Sequence, residues 1–214
     1  MRGKMLAGSV LALAMAGTAA RAGDPASPIT VEAQKVFAAS LPADDRQDFE
    51  FAEHGFLGTR ADSLIKREDG QTAWDLSVYD FLKKPAPATV NPSLWRQAQL
   101  LAKNGLFQVS DRVWQVRGFD ISNITFISGD TGWIIIDPLT MKETARAALE
   151  LANAKLGARP VKAVIYTHSH SDHFGGLGKT FPPVGATLFC TKPTAALVRL
   201  QLKVREHREL RAER

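Results

Sequence analysis

The segment Val161-Lys-Ala-Val-Ile-Tyr166 and the run that follows it, Thr167-His-Ser-His-Ser-Asp-His-Phe-Gly-Gly176, decide the fold. The first six residues are mostly apolar and β-branched, which predicts a strand buried in a sheet. Four potential metal ligands then fall within six residues: His168, His170, Asp172 and His173. This spacing directly after a buried strand predicts a metal centre at the carboxyl end of the strand.

The order of the four residues suggests how they share metal ions. In an extended segment, residues two apart point to the same side, so His168 and His170 can reach one ion. Asp172 and His173 come after a turn and can reach a second ion nearby. Imidazole and carboxylate ligands suit zinc, with iron or manganese as alternatives.

The residues ahead of this segment have a strand-like pattern that begins near Leu106. Turn residues interrupt it twice, and each turn lies between two apolar stretches. The two predicted hairpins are 106–109 and 113–116 around Ser110-Asp-Arg112, and 123–127 and 133–136 around Gly129-Asp-Thr-Gly132.

A helix is predicted between the second hairpin and the buried strand. Thr140 and Glu143 have the spacing of a capping box, and Gly157 suits the end of the helix. After the metal motif, we expect Gly175 and Gly176 to let the backbone pass close to the metals and to begin another helix.

Residues 23–104 predict a mainly helical segment. Residues 29–41 and 44–56 are plausible helices, and Asn91-Pro92 is a favourable start for a third that stops at Gly105. Trp74 provides an apolar anchor between them, which is typical of core packing.

Residues 1–22 have the composition of a secretory signal peptide. Arg2 and Lys4 give a positive start, residues 5–20 are uncharged and mostly apolar, and Ala20-Arg-Ala22 fits the cleavage pattern. An uncleaved membrane anchor is the alternative, but the apolar run is short for a span. We therefore expect a periplasmic or secreted protein with no stable membrane span after cleavage.

The net charge of +5 is carried by the two ends of the chain. Residues 23–178 contain 16 basic and 19 acidic residues, so the basic balance does not describe the surface of a central domain. We therefore predict no nucleic-acid partner. The single cysteine, Cys190, excludes a disulfide framework within the chain and a cysteine-based metal site.

The pattern His-x-His-x-Asp-His after a core strand resembles the motif of the metallo-β-lactamase superfamily. The resemblance implies an α/β fold, the N-terminal half of an αββα sandwich, over residues 105–178, with the mainly helical segment 23–104 ahead of it. In the superfamily, an Asp at the end of the preceding core strand commonly supports the metal site from outside the ligand shell. The resemblance gives this role to Asp137.

Five further stretches resemble the zinc-dependent alkylsulfatases, a narrower group within that superfamily. The similarity runs over residues 43–178 and so includes the region ahead of the zinc domain. The stretches are Trp74-Asp-Leu-Ser-x-Tyr-Asp-Phe-Leu, Asn91-Pro-Ser-Leu-Trp-Arg-Gln-Ala-Gln, Gln115-Val-Arg-Gly-Phe-Asp-Ile-Ser-Asn-Ile-Thr-Phe, Gly129-Asp-Thr-Gly-Trp and Ile136-Asp-Pro-Leu-Thr.

Alkylsulfatases release sulfate from primary alkyl sulfates such as dodecyl sulfate. The resemblance therefore implies a sulfuric ester hydrolase with two zinc ions, held in part by His168, His170, Asp172 and His173, with Asp172 also acting in catalysis. The ions would activate water, and nearby basic groups would stabilise the departing sulfate. The family forms homodimers through a domain that follows the hydrolase domain.

Two alternatives stay open. One is another hydrolase of the superfamily, such as a lactamase, lactonase or thioesterase; the other is an exported zinc-binding protein without catalysis. The resemblance of residues 115–126 favours an alkylsulfatase over the first. The other known sulfatase route needs a Cys/Ser-x-Pro-x-Arg motif, which Cys190-Thr-Lys-Pro does not fit.

The superfamily takes further ligands, a third histidine and carboxylates, from the second half of the domain. Residues 179–214 do not resemble the alkylsulfatases, and their one histidine, His207, lies on a charged segment. We therefore interpret the chain as an N-terminal fragment with a divergent basic tail over 179–214, produced by truncation or a frameshift. We expect weak metal binding and impaired activity.

The frameshift hypothesis predicts that one of the other two reading frames past codon 178 encodes a family-like continuation. Sequencing the coding DNA and translating those frames tests it. The hypothesis fails when neither frame resembles an alkylsulfatase.

Overall fold

The computed structural model describes residues 24–42, 44–176 and 186–212, with the side chains of 202 and 204–212 left aside. The predicted signal peptide at 1–22 and residues 179–185 of the predicted tail lie outside the described residues. Among the residues that are described, no helix is both long enough and apolar enough to cross a bilayer.

The described residues form both strands and helices. The strands are β1 (Phe56–Gly58), β2 (Leu64–Lys66), β3 (Thr72–Asp75), β4 (Gly105–Ser110), β5 (Val113–Arg117), β6 (Ile124–Ser128), β7 (Trp133–Ile136), β8 (Val161–Ile165) and β9 (Thr187–Phe189). The helices are α1 (Pro28–Ala39), α2 (Gln47–Glu53), α3 (Pro92–Leu101), α4 (Lys142–Leu156), α5 (Ser171–Phe174) and α6 (Lys192–Ala212), with a 3-10 helix over Leu76–Lys83.

Within these ranges, seven strands form one sheet in the order β1-β4-β5-β6-β7-β8-β9. Pairing is antiparallel from β1 to β7 and parallel from β7 to β9. Together with the helices, this sheet confirms the predicted α/β fold class.

Both predicted hairpins are confirmed. β4 and β5 pair around the turn at Asp111 and Arg112, and β6 and β7 pair around the four-residue turn that begins at Gly129. In the second hairpin Phe126 lies opposite Ile135, so large side chains from neighbouring strands share one face.

The helix α4 connects β7 to the parallel strand β8, so the predicted helix is confirmed. Gly157 ends it with φ +93°. The predicted capping box of Thr140 and Glu143 is wrong, because Met141 is the N-cap and Thr140 donates its hydroxyl to the carboxylate of Asp120. A charged acceptor makes the stronger hydrogen bond, which explains why Thr140 faces Asp120.

The two faces of the central sheet differ in burial. One face carries the core, and its fully buried side chains include Val116, Ile124, Phe126, Ile135 and Val164. The alternate residues, which point to the other face, are only half-buried: Ile127, Ile134, Ile136, Ala163 and Ile165. This half-exposed apolar face is where an αββα sandwich places its second sheet.

The segment 23–104 contains the three predicted helices, each with shorter bounds. The predicted end of the third is wrong, because α3 ends at Leu101 and Gly105 begins β4. Asn91 caps α3 as predicted, since its side-chain oxygen accepts from the backbone N–H of Ser93 at 2.9 Å. The segment also contains strands that the sequence did not predict: β1 joins the edge of the main sheet, and β2 and β3 form a separate hairpin.

The main sheet continues into the predicted basic tail. Strand β9 pairs in parallel with β8, with Leu188 opposite Val164. The side chains of β9 are exposed, so it extends the sheet without adding to the core.

Adjacent isoleucines in β7 test which face of the sheet is the core. Ile135 is fully buried, whereas Ile134 on the opposite face is half-buried. We expect Ile135→Ala to lower the free energy of unfolding by about 2–5 kcal/mol. Ile134→Ala should lower the free energy of unfolding clearly less, because the Ile134 side chain is already partly exposed to solvent. Urea unfolding followed by circular dichroism measures both; equal losses would show that the two faces are equally covered.

Candidate metal centre

The predicted ligands lie at the carboxyl ends of two neighbouring strands. Asp137 follows β7 directly, and the motif starts at His168, three residues after the end of β8. The Asp137 N–H donates to the carbonyl of Ile165 at 3.0 Å, which holds the two strand ends side by side. The short helix α5 then carries Asp172 and His173.

The structure brings the four predicted ligands together. The His168 ring lies 4.7 Å from the His170 ring and 4.0 Å from the His173 ring, measured between centroids. His168 Nε2 is 3.1 Å from His170 Nδ1, and His173 Nε2 is 3.1 Å from Asp172 Oδ2. The side chains are exposed or half-buried, so the cluster is open to solvent.

The carboxylate of Asp137 makes hydrogen bonds that orient the residues of this cluster. It is buried, and it accepts hydrogen bonds from the N–H of Thr167 at 2.8 Å and from its hydroxyl at 2.6 Å. His173 Nδ1 lies 2.9 Å from the same carboxylate. A carboxylate can only accept, so Nδ1 of His173 carries a proton, and Nε2, which faces Asp172 Oδ2, is the ring nitrogen left to bind a metal.

Thr167 in turn determines which ring nitrogen of His168 carries the proton. The hydroxyl of Thr167 donates to Asp137, so it accepts from His168 Nδ1 at 2.9 Å. The ring proton of His168 is therefore also on Nδ1, and its Nε2, which lies 3.1 Å from His170 Nδ1, is the nitrogen that can bind a metal. Both imidazoles thus have the tautomer that a metal ligand needs, fixed by hydrogen bonds one step away.

The donor set fits zinc. Asp137, His168 and His173 each offer an atom within 4.8 Å of the others. Both carboxylate oxygens of Asp137 are already engaged with Thr167 and His173, which suits the supporting role expected for it rather than that of a ligand. His168 Nε2 lies 3.1 Å from His170 Nδ1, and His173 Nε2 lies 3.1 Å from Asp172 Oδ2. A zinc ion could be coordinated by both atoms of such a pair.

An apolar floor lies beneath the cluster. Tyr166 is 2% exposed, and its ring centroid is 6.1 Å from that of Phe174. Burial raises the pKa of the Tyr166 phenol, and the nearby Cys190 raises it further. Tyr166 is therefore neutral near pH 7 and adds no charge to the site.

The two glycines lie directly after the helix α5. The helix that was predicted to begin at them would fall on residues directly after Gly176, which lie outside the described part of the chain. A Cβ on Gly176 would lie 1.7 Å from the carbonyl oxygen of Pro138, and one on Gly175 would lie 2.3 Å from that of Thr140. The glycines therefore allow close packing against the loop after β7.

Sequence reasoning missed the residues that support the ligands. Thr167 lies directly before the motif but is not one of the positions that define it. Ser122 lies 50 positions before Asp172, and its hydroxyl donates to the backbone carbonyl of Asp172. Only the resemblance of residues 115–126 to the alkylsulfatases gave a signal for the second of these.

The comparison with known proteins begins with the domain that contains the site. Residues 117–195 match the family model described as the Metallo-beta-lactamase superfamily. The match includes Asp137 and the four predicted ligands. It also continues past residue 178, where the sequence predicted the domain to end.

Two relatives narrow the assignment. An alkyl/aryl-sulfatase of Saccharomyces cerevisiae is 52% identical over 151 residues, which cover 70% of this chain and 23% of that protein. A linear primary-alkylsulfatase from Pseudomonas sp. is 47% identical over 161 residues, which cover 74% of this chain and 24% of that protein. The chain is a homologue of the alkylsulfatases.

A solved structure agrees with this homology. The stereoselective inverting sec-alkylsulfatase from Pseudomonas sp. is 41% identical to this alkylsulfatase homologue, with a TM-score of 0.73, over 82% of this chain and 28% of that one. The predicted family resemblance is thus confirmed. The homologue spans about a quarter of the length of the relatives that it matches.

The Asp137 carboxylate gives a direct test of the supporting hydrogen bonds. Asp137→Asn places an N–H₂ group against donors from Thr167 or His173, so the imidazoles lose their fixed orientation. We expect zinc affinity to fall by about 10–100-fold. Competition with a chromophoric chelator measures it.

A matched control is Asp130→Asn, because Asp130 is 93% exposed in the turn between β6 and β7 and pairs with Arg112. This variant should bind zinc as the unaltered chain does. Equal zinc affinity in the Asp137 variant would contradict its supporting role.

Proposed function

We propose that this alkylsulfatase homologue carries part of the catalytic domain of a zinc-dependent enzyme. The enzyme hydrolyses primary alkyl sulfate esters, such as dodecyl sulfate, to an alcohol and sulfate. The observation that carries the proposal is the convergence of three imidazoles and one carboxylate after β8, within a stretch that is 47–52% identical to alkylsulfatases.

Each residue of the cluster has a proposed role. His168 and His170 would hold one zinc ion, and Asp172 and His173 would contribute to a second, while Asp137 and Thr167 keep the ring protons on Nδ1. Bound zinc supplies a Lewis acid and lowers the pKa of water into the neutral range. Asp172, at 27% side-chain exposure, can also accept a hydrogen bond from the attacking water and orient it.

An apolar cavity supports an alkyl substrate. A cavity of about 370 Å³ lies between the 3-10 helix, α3 and residues 118–123. Ser122, within that last segment, contacts Asp172. An alkyl tail in this cavity would therefore lie beside the loop that touches the metal motif. Its apolar lining comprises Trp74, Leu76, Tyr79, Leu82, Leu101 and Ile121.

The cellular setting is part of the proposal. The signal-like composition of residues 1–22 supports export, to a periplasm or to the medium. An exported enzyme would encounter alkyl sulfates from the medium before they reach the cytoplasm.

Sulfate release tests the proposal. Purified chain is incubated with added zinc and dodecyl sulfate below its denaturing concentration, and free sulfate is measured by ion chromatography. We expect slow release that requires zinc. We also expect that release to be lost in His168→Ala, which removes a ligand, and retained in His54→Ala, which alters an exposed histidine outside the cluster.

Two outcomes would contradict the proposal. Hydrolysis of a cephalosporin or a lactone without sulfate release would select another activity of the superfamily. Bound zinc without turnover of any of these substrates would favour a non-catalytic zinc protein.

A further inference from the structure

A second loop, residues 118–123 between β5 and β6, also reaches the metal motif. We propose that Asp120 and Ser122 in this loop are positioning residues, which hold Asp172 where its carboxylate can meet the metal. The proposal rests on the proposed function, in that it takes Asp172 to be a ligand.

The loop is firmly attached to the rest of the fold. Phe119 is fully buried, and the carbonyl of Gly118 accepts a hydrogen bond from Trp74 Nε1 at 3.2 Å. Gly118 has φ +75°, and a Cβ there would lie 2.6 Å from that of Asn104. The loop therefore offers a fixed platform for Asp120 and Ser122, while Ile121 between them is 72% exposed.

The carboxylate of Asp120 connects this platform to the segment after β7. Asp120 is 6% exposed and accepts four hydrogen bonds. The donors are Ile121 N (2.7 Å), Thr140 N (3.1 Å), Thr140 Oγ1 (2.7 Å) and Thr144 Oγ1 (2.7 Å). None of these four donors carries a charge, so a buried carboxylate is satisfied by neutral groups alone. Burial of a carboxylate costs free energy unless its hydrogen bonds are made, so the loop and the segment after β7 are held in the one relative position that makes all four.

The segment after β7, which Asp120 binds through Thr140, packs against the end of the metal motif. The N–H of Gly176 donates to the carbonyl of Leu139 at 2.8 Å, and the Thr140 carbonyl lies against Gly175. Asp120 thereby fixes the position of the residues that follow α5.

Ser122 makes the direct connection. Its hydroxyl donates to the backbone carbonyl of Asp172, the residue whose carboxylate lies 3.1 Å from His173 Nε2. Helix α5 has only four residues, so its own hydrogen bonds hold it weakly. Without the Ser122 hydroxyl, the backbone at Asp172 loses a tether, and its carboxylate loses its fixed distance to His173.

Ser122 separates positioning from folding better than Asp120 does. Asp120 accepts four bonds that also stabilise the fold, whereas Ser122 is half-buried and contributes one hydroxyl. The test therefore compares Ser122→Ala, which removes the hydroxyl, with Ser122→Thr, which keeps it. Ser128→Ala is the control, because the Ser128 hydroxyl binds Arg159 at 2.8 Å, at the opposite end of β6.

Three measurements are made on the purified chain: zinc affinity by chelator competition, the visible spectrum with Co²⁺, and the melting temperature without metal. We expect Ser122→Ala to bind zinc about tenfold more weakly or worse, with a changed Co²⁺ spectrum and an unchanged melting temperature. Ser122→Thr should restore both metal signals, and Ser128→Ala should leave them as they are.

The results distinguish the inference from the function on which it rests. If the unaltered chain binds no zinc, the proposed function fails. If it binds zinc and Ser122→Ala binds equally well with the same spectrum, the positioning role is wrong. A matching loss in Ser128→Ala, no rescue by Ser122→Thr, or a fall in melting temperature that parallels the lost affinity would also overturn it.

Discussion

The buried carboxylate of Asp137 is the group on which the metal centre depends. It receives the backbone N–H and the hydroxyl of Thr167 and faces Nδ1 of His173, so one side chain joins the end of β7 to the segment after β8. Asp137 adopts φ +53°, a conformation that non-glycine residues seldom take. Its hydrogen bonds hold it there, and they direct Nε2 of His168 and of His173 away from Asp137 and towards the other candidate ligands.

The remainder of the fold brings three segments to one edge of the sheet. β7 ends at Asp137, β8 leads into the motif, and the loop before β6 brings Ser122 to Asp172. The parallel pairing of β7 and β8 places their carboxyl ends side by side, and it requires a crossover connection, which α4 provides. The position of the site therefore follows from the strand order, whereas the orientation of its ligands follows from the buried carboxylates.

The sequence predicted the parts of this structure that depend on local patterns. Alternating apolar residues and turn residues located both hairpins, and Asn91 with Pro92 located the start of α3. The spacing of the motif predicted that the four candidate ligands lie close together, because their proximity needs only a strand end and a short turn. These features depend on neighbours in the chain.

The features that the sequence did not predict depend on contacts between distant residues. Thr140 fits a capping box by spacing, but the carboxylate of Asp120, 20 positions earlier, takes its hydroxyl. Strand β1 is three residues long and is defined by pairing with β4 rather than by its own pattern. Gly176 is required by the carbonyl of Pro138, a contact that no local motif reveals.

The central claim is that the histidines of residues 168–173, supported by Asp137, hold zinc. X-ray absorption at the zinc K-edge of the zinc-loaded chain tests it most directly. We predict a first shell of nitrogen and oxygen at about 2.0–2.2 Å, without sulfur. The outer-shell signal of imidazole rings should also be present and should weaken in His168→Ala. A shell of oxygen alone, with no imidazole signal, would contradict the claim.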